Sequence, residues 1–139
     1  ETAEIELSTT KPEAAVEVNG DEEALHQAIT NLLDNAIKYT PAGGRVMVQL
    51  ESRSQEAIIR VTDTGIGIEP EDQERIFERF YRVDKARSRE LGGTGLGLSI
   101  VRHIIRSHQG RVRVESRPGN GSSFIINLPL TTTAQGKDE

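Results

Sequence analysis

The sequence predicts an α+β fold, a two-layer α/β sandwich in which a mixed, mostly antiparallel sheet of about five strands is covered on one face by three helices. Helical periodicity occurs near residues 22–40, 71–80 and 97–109. Pairs of strand-like segments joined by short turns lie between these helices. With 139 residues the chain is long enough for one core. We therefore expect one domain over residues 1–130 and a disordered tail over residues 131–139.

Composition excludes several classes of partner. The net charge of -5 and pI near 5.3 give no general attraction to nucleic acid or to an anionic membrane surface. The chain has no cysteine, so a disulfide scaffold and a thiolate metal site are both excluded. Its apolar runs are shorter than the roughly 20 residues that span a bilayer. We therefore predict a monomeric cytoplasmic domain without nucleic-acid partners or direct membrane contact.

Residues 1–21 contain two short strand-like pieces, EIELS and AVEV, and lead into a long helix. Asp21 is the predicted N-cap, and Pro41 with Gly43 ends the helix. One face carries a broad apolar stripe that should pack on the core, formed by Ala24, Leu25, Ala28, Ile29, Leu32, Leu33, Ala36 and Ile37.

A polar row follows the edge of that apolar stripe. Asn31, Asn35 and Lys38 recur at i, i+4 and i+7, and Tyr39 lies beside them. Half-buried side chains in such a row can reach a ligand. The alternative interpretation is a solvated helix flank that contacts nothing.

Two predicted strands, Arg45–Leu50 and Ala57–Asp63, pair as a hairpin. Alternation in the second strand places Asp63 on the same apolar side as Ile59 and Val61, just before the chain breaks at a glycine-containing turn. A carboxylate buried there needs a hydrogen-bond donor.

A short helix, Glu71–Phe80, is predicted next, with its phenylalanines in the core. The basic, glycine-containing stretch Arg82–Gly93 is longer than ordinary connections, which suggests a mobile lid. A helix over Gly97–Gln109, closed by Gly110 at C′, and a final hairpin complete the fold. The strands of that hairpin are Arg111–Ser116 and a return strand containing Phe124, Ile126 and Leu128.

The glycine run GGTGLG at residues 92–97 leads directly into a helix. The N–H groups of a first helical turn bind anions, most often phosphate. The run is neither a Walker loop nor a dinucleotide fingerprint, because the residues that should follow are absent. Taken alone, a flexible turn explains it equally well.

In combination these motifs resemble a known family. NLLDNAIKYTP, DTGIGI, FERFYRVD and GGTGLGLSIV are similar to the N, G1, F and G2 boxes of bacterial sensor histidine kinase catalytic domains, within the ATP-binding family that includes gyrase, Hsp90 and MutL. The resemblance extends from about Asp21 to Pro129. It implies a Bergerat-type ATP-binding fold over residues 1–130, with ATP and Mg²⁺ as cofactors.

The resemblance also implies individual roles. Asn35 matches the metal-binding asparagine, and Asp63 matches the carboxylate that accepts a hydrogen bond from the adenine amino group. Asn31, Lys38 and Arg82 match positions close to the phosphates and are the candidate catalytic residues. The full set of ATP-binding positions implied in this way is Asn31, Asn35, Lys38, Tyr39, Asp63, Gly65, Gly67, Ile68, Arg82, Gly93, Thr94, Gly95, Leu96, Gly97 and Ser122.

The implied activity is transfer of the γ-phosphoryl group of ATP to a histidine on a separate dimerisation domain of the same kinase. A response regulator would then be the next partner, and the parent kinase would be a membrane-bound sensor with this part in the cytoplasm. None of His26, His103 and His108 has the sequence context of a phosphoacceptor, so we expect them to be structural or surface residues. The isolated chain should therefore bind ATP without efficient autophosphorylation.

Three alternative functions fit these residues less well. An ATPase of the gyrase or Hsp90 kind has a glutamate as general base at the position of Asn31, and an amide cannot accept the proton. A docking module without catalysis would not need the retained Asn35, Asp63 and lid glycines. A nucleic-acid module is rejected on the acidic charge and the lack of aromatic residues among basic ones.

Overall fold

The computed structural model of the chain describes residues 6–10, 17–78 and 97–130. The predicted lid Arg82–Gly93, the end of the predicted short helix at Phe80 and the predicted tail lie outside these ranges. The helices and strands within them are β1 (Glu6–Thr10), α1 (Glu22–Lys38), β2 (Arg45–Arg53), β3 (Glu56–Asp63), α2 (Pro70–Gln73), α3 (Gly97–Ser107), β4 (Arg111–Ser116) and β5 (Ser122–Pro129).

The strands form one five-stranded sheet in the order β1-β2-β3-β5-β4. β1 pairs with β2 in parallel, and the other three pairings are antiparallel. The mixed, mostly antiparallel sheet and both predicted hairpins are therefore confirmed. Because β5 inserts between β3 and β4, the second strand of the final hairpin is an inner strand of the sheet.

The core lies between the sheet and helices α1 and α3. Each helix buries one face, as the apolar periodicity predicts. Phe77 follows α2 and packs edge-to-face on Phe124 of β5, with ring centroids 6.1 Å apart. Residues that are almost completely buried include Ala28, Leu32, Ala36, Val46, Val61, Val101, Ile105, Phe124, Ile125 and Ile126. Among the described residues, no helix is both long and apolar enough to cross a membrane.

The N-terminus of α1 is capped and tied to the end of α3. Oδ1 of Asp21 accepts hydrogen bonds from the N–H groups of Glu23 and Ala24, at 3.0 and 3.2 Å. The N–H of Asp21 itself donates to Nε2 of His108 at 3.0 Å. Nδ1 of the same ring lies 2.8 Å from the carbonyl oxygen of Ile104, so the ring proton is on Nδ1. His108 therefore has a structural role, whereas His26 and His103 are exposed.

Three expectations are corrected by the structure. Within the described residues, the predicted helix Glu71–Phe80 is helical only over Pro70–Gln73. Turns follow at residues 74–77, where the N–H of Arg75 bonds three residues back and that of Ile76 four residues back. Ile37 is 40% exposed and lies at the margin of the apolar stripe rather than within it. Residues 17 and 18, the end of the predicted AVEV strand, belong to no strand.

Helix α3 ends at Ser107, two residues before the predicted end at Gln109, and its C′ position differs by one residue from the prediction. Gln109, with φ of 62°, occupies the left-handed C′ position that was assigned to Gly110. The N–H of Gly110 bonds to the Ile105 carbonyl and that of Gln109 to Arg106, which is a Schellman motif. A Cβ atom at Gly110 would collide with the carbonyl oxygen of Asn127. Glycine is therefore needed there for close packing against β5 and not for its backbone angle.

The cap of α1 yields a stability prediction. Asp21→Ala should lower the free energy of unfolding by about 1 kcal/mol, because two N–H groups lose their acceptor. Asp21→Asn keeps an acceptor oxygen and should cost much less. Urea unfolding followed by circular dichroism measures both, and equal losses in the two variants would contradict the capping role.

Candidate functional site

Asp63 is the last residue of β3 and lies at the centre of the site. Its side chain is only 6% exposed, which confirms the inward register predicted from Ile59 and Val61. Val46 of β2 and Ser122 of β5 flank it in the sheet. Its Oδ1 accepts a hydrogen bond of 2.8 Å from the N–H of Gly65.

The charge of Asp63 is poorly compensated. Burial raises the pKa of its carboxyl above the ordinary 3.8, while the backbone N–H groups of Gly65 and Ser122 act in the opposite direction. No lysine or arginine in the described ranges forms an ion pair with it. A further donor, supplied by a ligand, would stabilise this carboxylate.

The turn at residues 64–68 joins the end of β3 to two other parts of the fold. The N–H of Ile66 donates to the carbonyl oxygen of Tyr39 at 3.3 Å, and its carbonyl accepts from the N–H of Gly119 at 2.7 Å. A Cβ atom at Gly65 would collide with the Tyr39 carbonyl. Gly67 has φ of 78°, and a Cβ there would collide with the backbone of Arg117. Close packing against protein backbone thus requires glycine at both positions.

Ile68 ends the turn and is held by two side chains from elsewhere. Its N–H donates to Oγ of Ser116 at 2.8 Å. Its carbonyl oxygen accepts from Nε2 of Gln73 at 2.9 Å. Oγ of Ser116 also lies 2.8 Å from Oγ of Ser122. The sequence pattern did not indicate Gln73 or Ser116, because hydrogen bonds from side chains to the backbone of a turn leave no periodic signal.

The polar row on α1 lies along one edge of the site. Asn31, Asn35 and Lys38 are all half-buried, as expected. Nδ2 of Asn31 lies 3.4 Å from the carbonyl oxygen of Gly97, so the row meets the first residue of α3. Within the described part of the chain, the Asn35 amide makes no hydrogen bond and Lys38 no ion pair. These two polar groups are therefore available to a ligand.

The structure brings several of the predicted site residues together. Tyr39 contacts the turn through its carbonyl, Ser122 lies opposite Asp63, and Asn31 reaches Gly97. A Cβ atom on Gly97, at the start of α3, would meet no atom of the described residues within 4 Å. The other predicted positions, Arg82, Gly93, Thr94, Gly95 and Leu96, lie outside the described residues.

The chain is similar to known proteins over most of its length. A family model described as "Histidine kinase-, DNA gyrase B-, and HSP90-like ATPase" matches residues 20–132. The sensor-like histidine kinase SenX3 of Mycobacterium tuberculosis is 50% identical over 139 residues, which are 100% of this chain and 34% of that protein. The chain therefore spans about a third of the length of this relative.

Solved structures of histidine kinases superpose on this fold. The mycobacterial sensor histidine kinase MprB superposes with a TM-score of 0.79 at 36% identity, covering 91% of this chain and 83% of that one. Full-length ShkA, solved in complex with AMPPNP, superposes with a TM-score of 0.78 at 30% identity. That match covers 91% of this chain and 26% of ShkA.

The pKa of Asp63 gives a pH-dependent prediction. Because its pKa is raised in the folded state, ionising Asp63 lowers stability as pH rises from about 3.8, the ordinary value, through the folded-state pKa. Asp63→Asn should therefore gain stability relative to the native chain over that pH interval, and the difference should then be constant. Urea unfolding between about pH 4 and pH 8 measures this.

Asp34→Asn is the matched control, since Asp34 is exposed on α1. This control should show no comparable change with pH. A stability difference between Asp63→Asn and the native chain that does not vary with pH would contradict the prediction.

Proposed function

Because the chain belongs to the histidine kinase-, DNA gyrase B- and HSP90-like ATPase family, as a sensor histidine kinase catalytic domain, we propose that it binds Mg-ATP and donates the γ-phosphoryl group to a histidine on a separate dimerisation domain. The observation that carries the proposal is Asp63, a carboxylate that is buried at the end of β3 without a cationic partner in the described ranges. A response regulator is the proposed next acceptor.

Adenine recognition follows from this carboxylate. The N–H of Gly65 already donates to Oδ1, and burial raises the pKa of the Asp63 carboxyl despite the backbone donors of Gly65 and Ser122. The exocyclic amine on C6 of adenine supplies a neutral N–H donor, whereas guanine presents at C6 a carbonyl oxygen that would repel the carboxylate. Ile68 and Tyr39 supply apolar surface on the turn and at the end of α1.

Phosphate and metal binding are assigned to the α1 row and the start of α3. Asn35 offers a neutral oxygen ligand that suits Mg²⁺, an ion that keeps several waters and bridges phosphates. Among the described residues, no cluster of three or more acidic or histidine side chains could hold an ion alone. The ion would therefore take its other ligands from phosphate and water. Lys38, Asn31 and Gly97 lie in the proposed phosphate region, and the family resemblance adds Arg82 and Gly93–Gly97.

The chain's own chemistry favours transfer to a partner over hydrolysis. Asn31 stands where related ATPases have a glutamate, and its amide cannot deprotonate water. Both ring nitrogens of His108 are engaged in hydrogen bonds within the fold. Phosphoryl transfer requires mainly in-line positioning and charge neutralisation, so the nucleophile can arrive on another domain. We assign this step to the cytoplasmic part of the parent kinase.

Nucleotide binding is tested by isothermal titration calorimetry with ATP and GTP in the presence of Mg²⁺. The native chain should prefer ATP. Asp63→Ala should weaken ATP binding about ten- to hundredfold, the worth of one charged hydrogen bond. Asn35→Ala should make ATP affinity insensitive to Mg²⁺. Asp34→Ala removes an exposed carboxylate from the same helix and serves as control. Equal affinities of the native chain for ATP and GTP would contradict adenine selection by Asp63.

Phosphoryl transfer is tested with labelled ATP and a separately made phosphoacceptor fragment of the parent kinase. The isolated chain should neither label itself nor release phosphate at a useful rate. Adding the fragment should give an acid-labile phosphohistidine on that fragment, and Asn35→Ala should abolish it. Stable labelling of His26, His103 or His108, or rapid hydrolysis by the chain alone, would overturn the proposed division of labour.

A further inference from the structure

The backbone of Ile68 is fixed by side chains and not by a strand ladder. Its N–H donates to Oγ of Ser116 at the end of β4. Its carbonyl oxygen accepts from Nε2 of Gln73 at the end of α2. Ile68 is thus anchored on both sides, by Ser116, which lies 48 residues away in the chain, and by Gln73, which lies five residues away.

The amide nitrogen of Gln73 donates to two carbonyl groups. Nε2 donates to the carbonyl oxygen of Ile68 and to that of Ser116, each at 2.9 Å. Both partners are acceptors, so the amide nitrogen must face them and the flipped orientation is excluded. Gln73 therefore joins the turn directly to the end of β4. A glutamate carboxylate at position 73 would place an acceptor oxygen beside the carbonyl oxygens of Ile68 and Ser116, and neither hydrogen bond could form.

Ser116 extends the connection to the far side of the site. Its Oγ accepts from the N–H of Ile68 and lies 2.8 Å from the carbonyl oxygen of Gly121. A hydroxyl has one proton, and donating it to Gly121 leaves Ser122 as the donor in the 2.8 Å contact between the two hydroxyl groups. Ser122 lies opposite Asp63 in the sheet. The network therefore relates the position of Ile68 to that of Asp63.

We propose that Gln73 and Ser116 are positioning residues that set the base specificity of the nucleotide site by fixing Ile68 relative to Asp63. This inference rests on the proposed function. Neither residue needs to touch the nucleotide. Their hydrogen bonds fix Ile68, against which the base would pack. The edge of the base would then meet the Asp63 carboxylate in one position. If Ile68 moves, the base can shift and the carboxylate no longer distinguishes an amine from a carbonyl.

The test compares ATP and GTP affinities in the full chain by calorimetry, with displacement of a fluorescent ATP analogue for weak binding. Gln73→Glu, Gln73→Met and Ser116→Ala should each bind ATP about tenfold more weakly, as expected for the loss of one or two hydrogen bonds. GTP shares the ribose and triphosphate, so its affinity should change little. The ratio of the two affinities should therefore fall by about the same factor.

Asp21→Ala is the control for a general loss of stability. It should destabilise the start of α1, away from Ile68, and keep the native ratio of ATP to GTP affinity. Gln73→Met and Ser116→Ala introduce no charge and keep the test valid if Gln73→Glu fails to fold. A native ratio in both of these variants would overturn the inference, as would equal losses of ATP and GTP affinity. A native chain that does not prefer ATP would overturn the proposed function as well.

Discussion

The structure around the site depends on the burial of one carboxylate. Removing Asp63 from water costs free energy that backbone N–H groups must offset, and the nearest sources are Gly65 and Ser122. The first requires the chain to turn back immediately after β3. The second requires β5 to lie beside β3 in a register that sets Ser122 opposite Asp63. The turn after β3, Gly65 within that turn and the pairing of β5 with β3 thus all help to stabilise the buried Asp63 carboxylate.

The turn also completes the end of α1. The last carbonyl groups of a helix have no partner within the helix, and that of Tyr39 is satisfied by the N–H of Ile66. This bond needs the two backbones to approach so closely that any side chain at position 65 would collide with Tyr39. The helix that carries the polar row and the strand that carries Asp63 are therefore fixed relative to each other through main-chain atoms. Such a junction is insensitive to most side-chain changes.

The sequence predicted those features that depend on local periodicity. The extent of α1, the two hairpins and the inward direction of Asp63 follow from spacings of two or of three and four residues, and the structure confirms them. Gln73 and Ser116 could not be found in this way, because their bonds to Ile68 join separate elements. The end of α2 at Gln73 was not predicted for a similar reason. The Gln73 side chain bonds to Ile68 and Ser116, and turns follow where the composition favours further helical hydrogen bonds. The sequence interpretation assigned Gly110 to the left-handed C′ position. In the structure glycine is needed there because a Cβ atom would collide with Asn127 of β5.

The strand order has a consequence for how the chain is made. β1, α1, β2 and β3 are consecutive, but the second edge of β3 pairs with β5, the last strand of the sheet. During synthesis that edge, with apolar Ile59 and Val61 along it, stays unpaired until residues 122–129 have left the ribosome. Pairings between segments so distant in the chain form slowly, and open strand edges invite association with other chains. The nascent chain is thus most vulnerable to aggregation just before its final strand is translated.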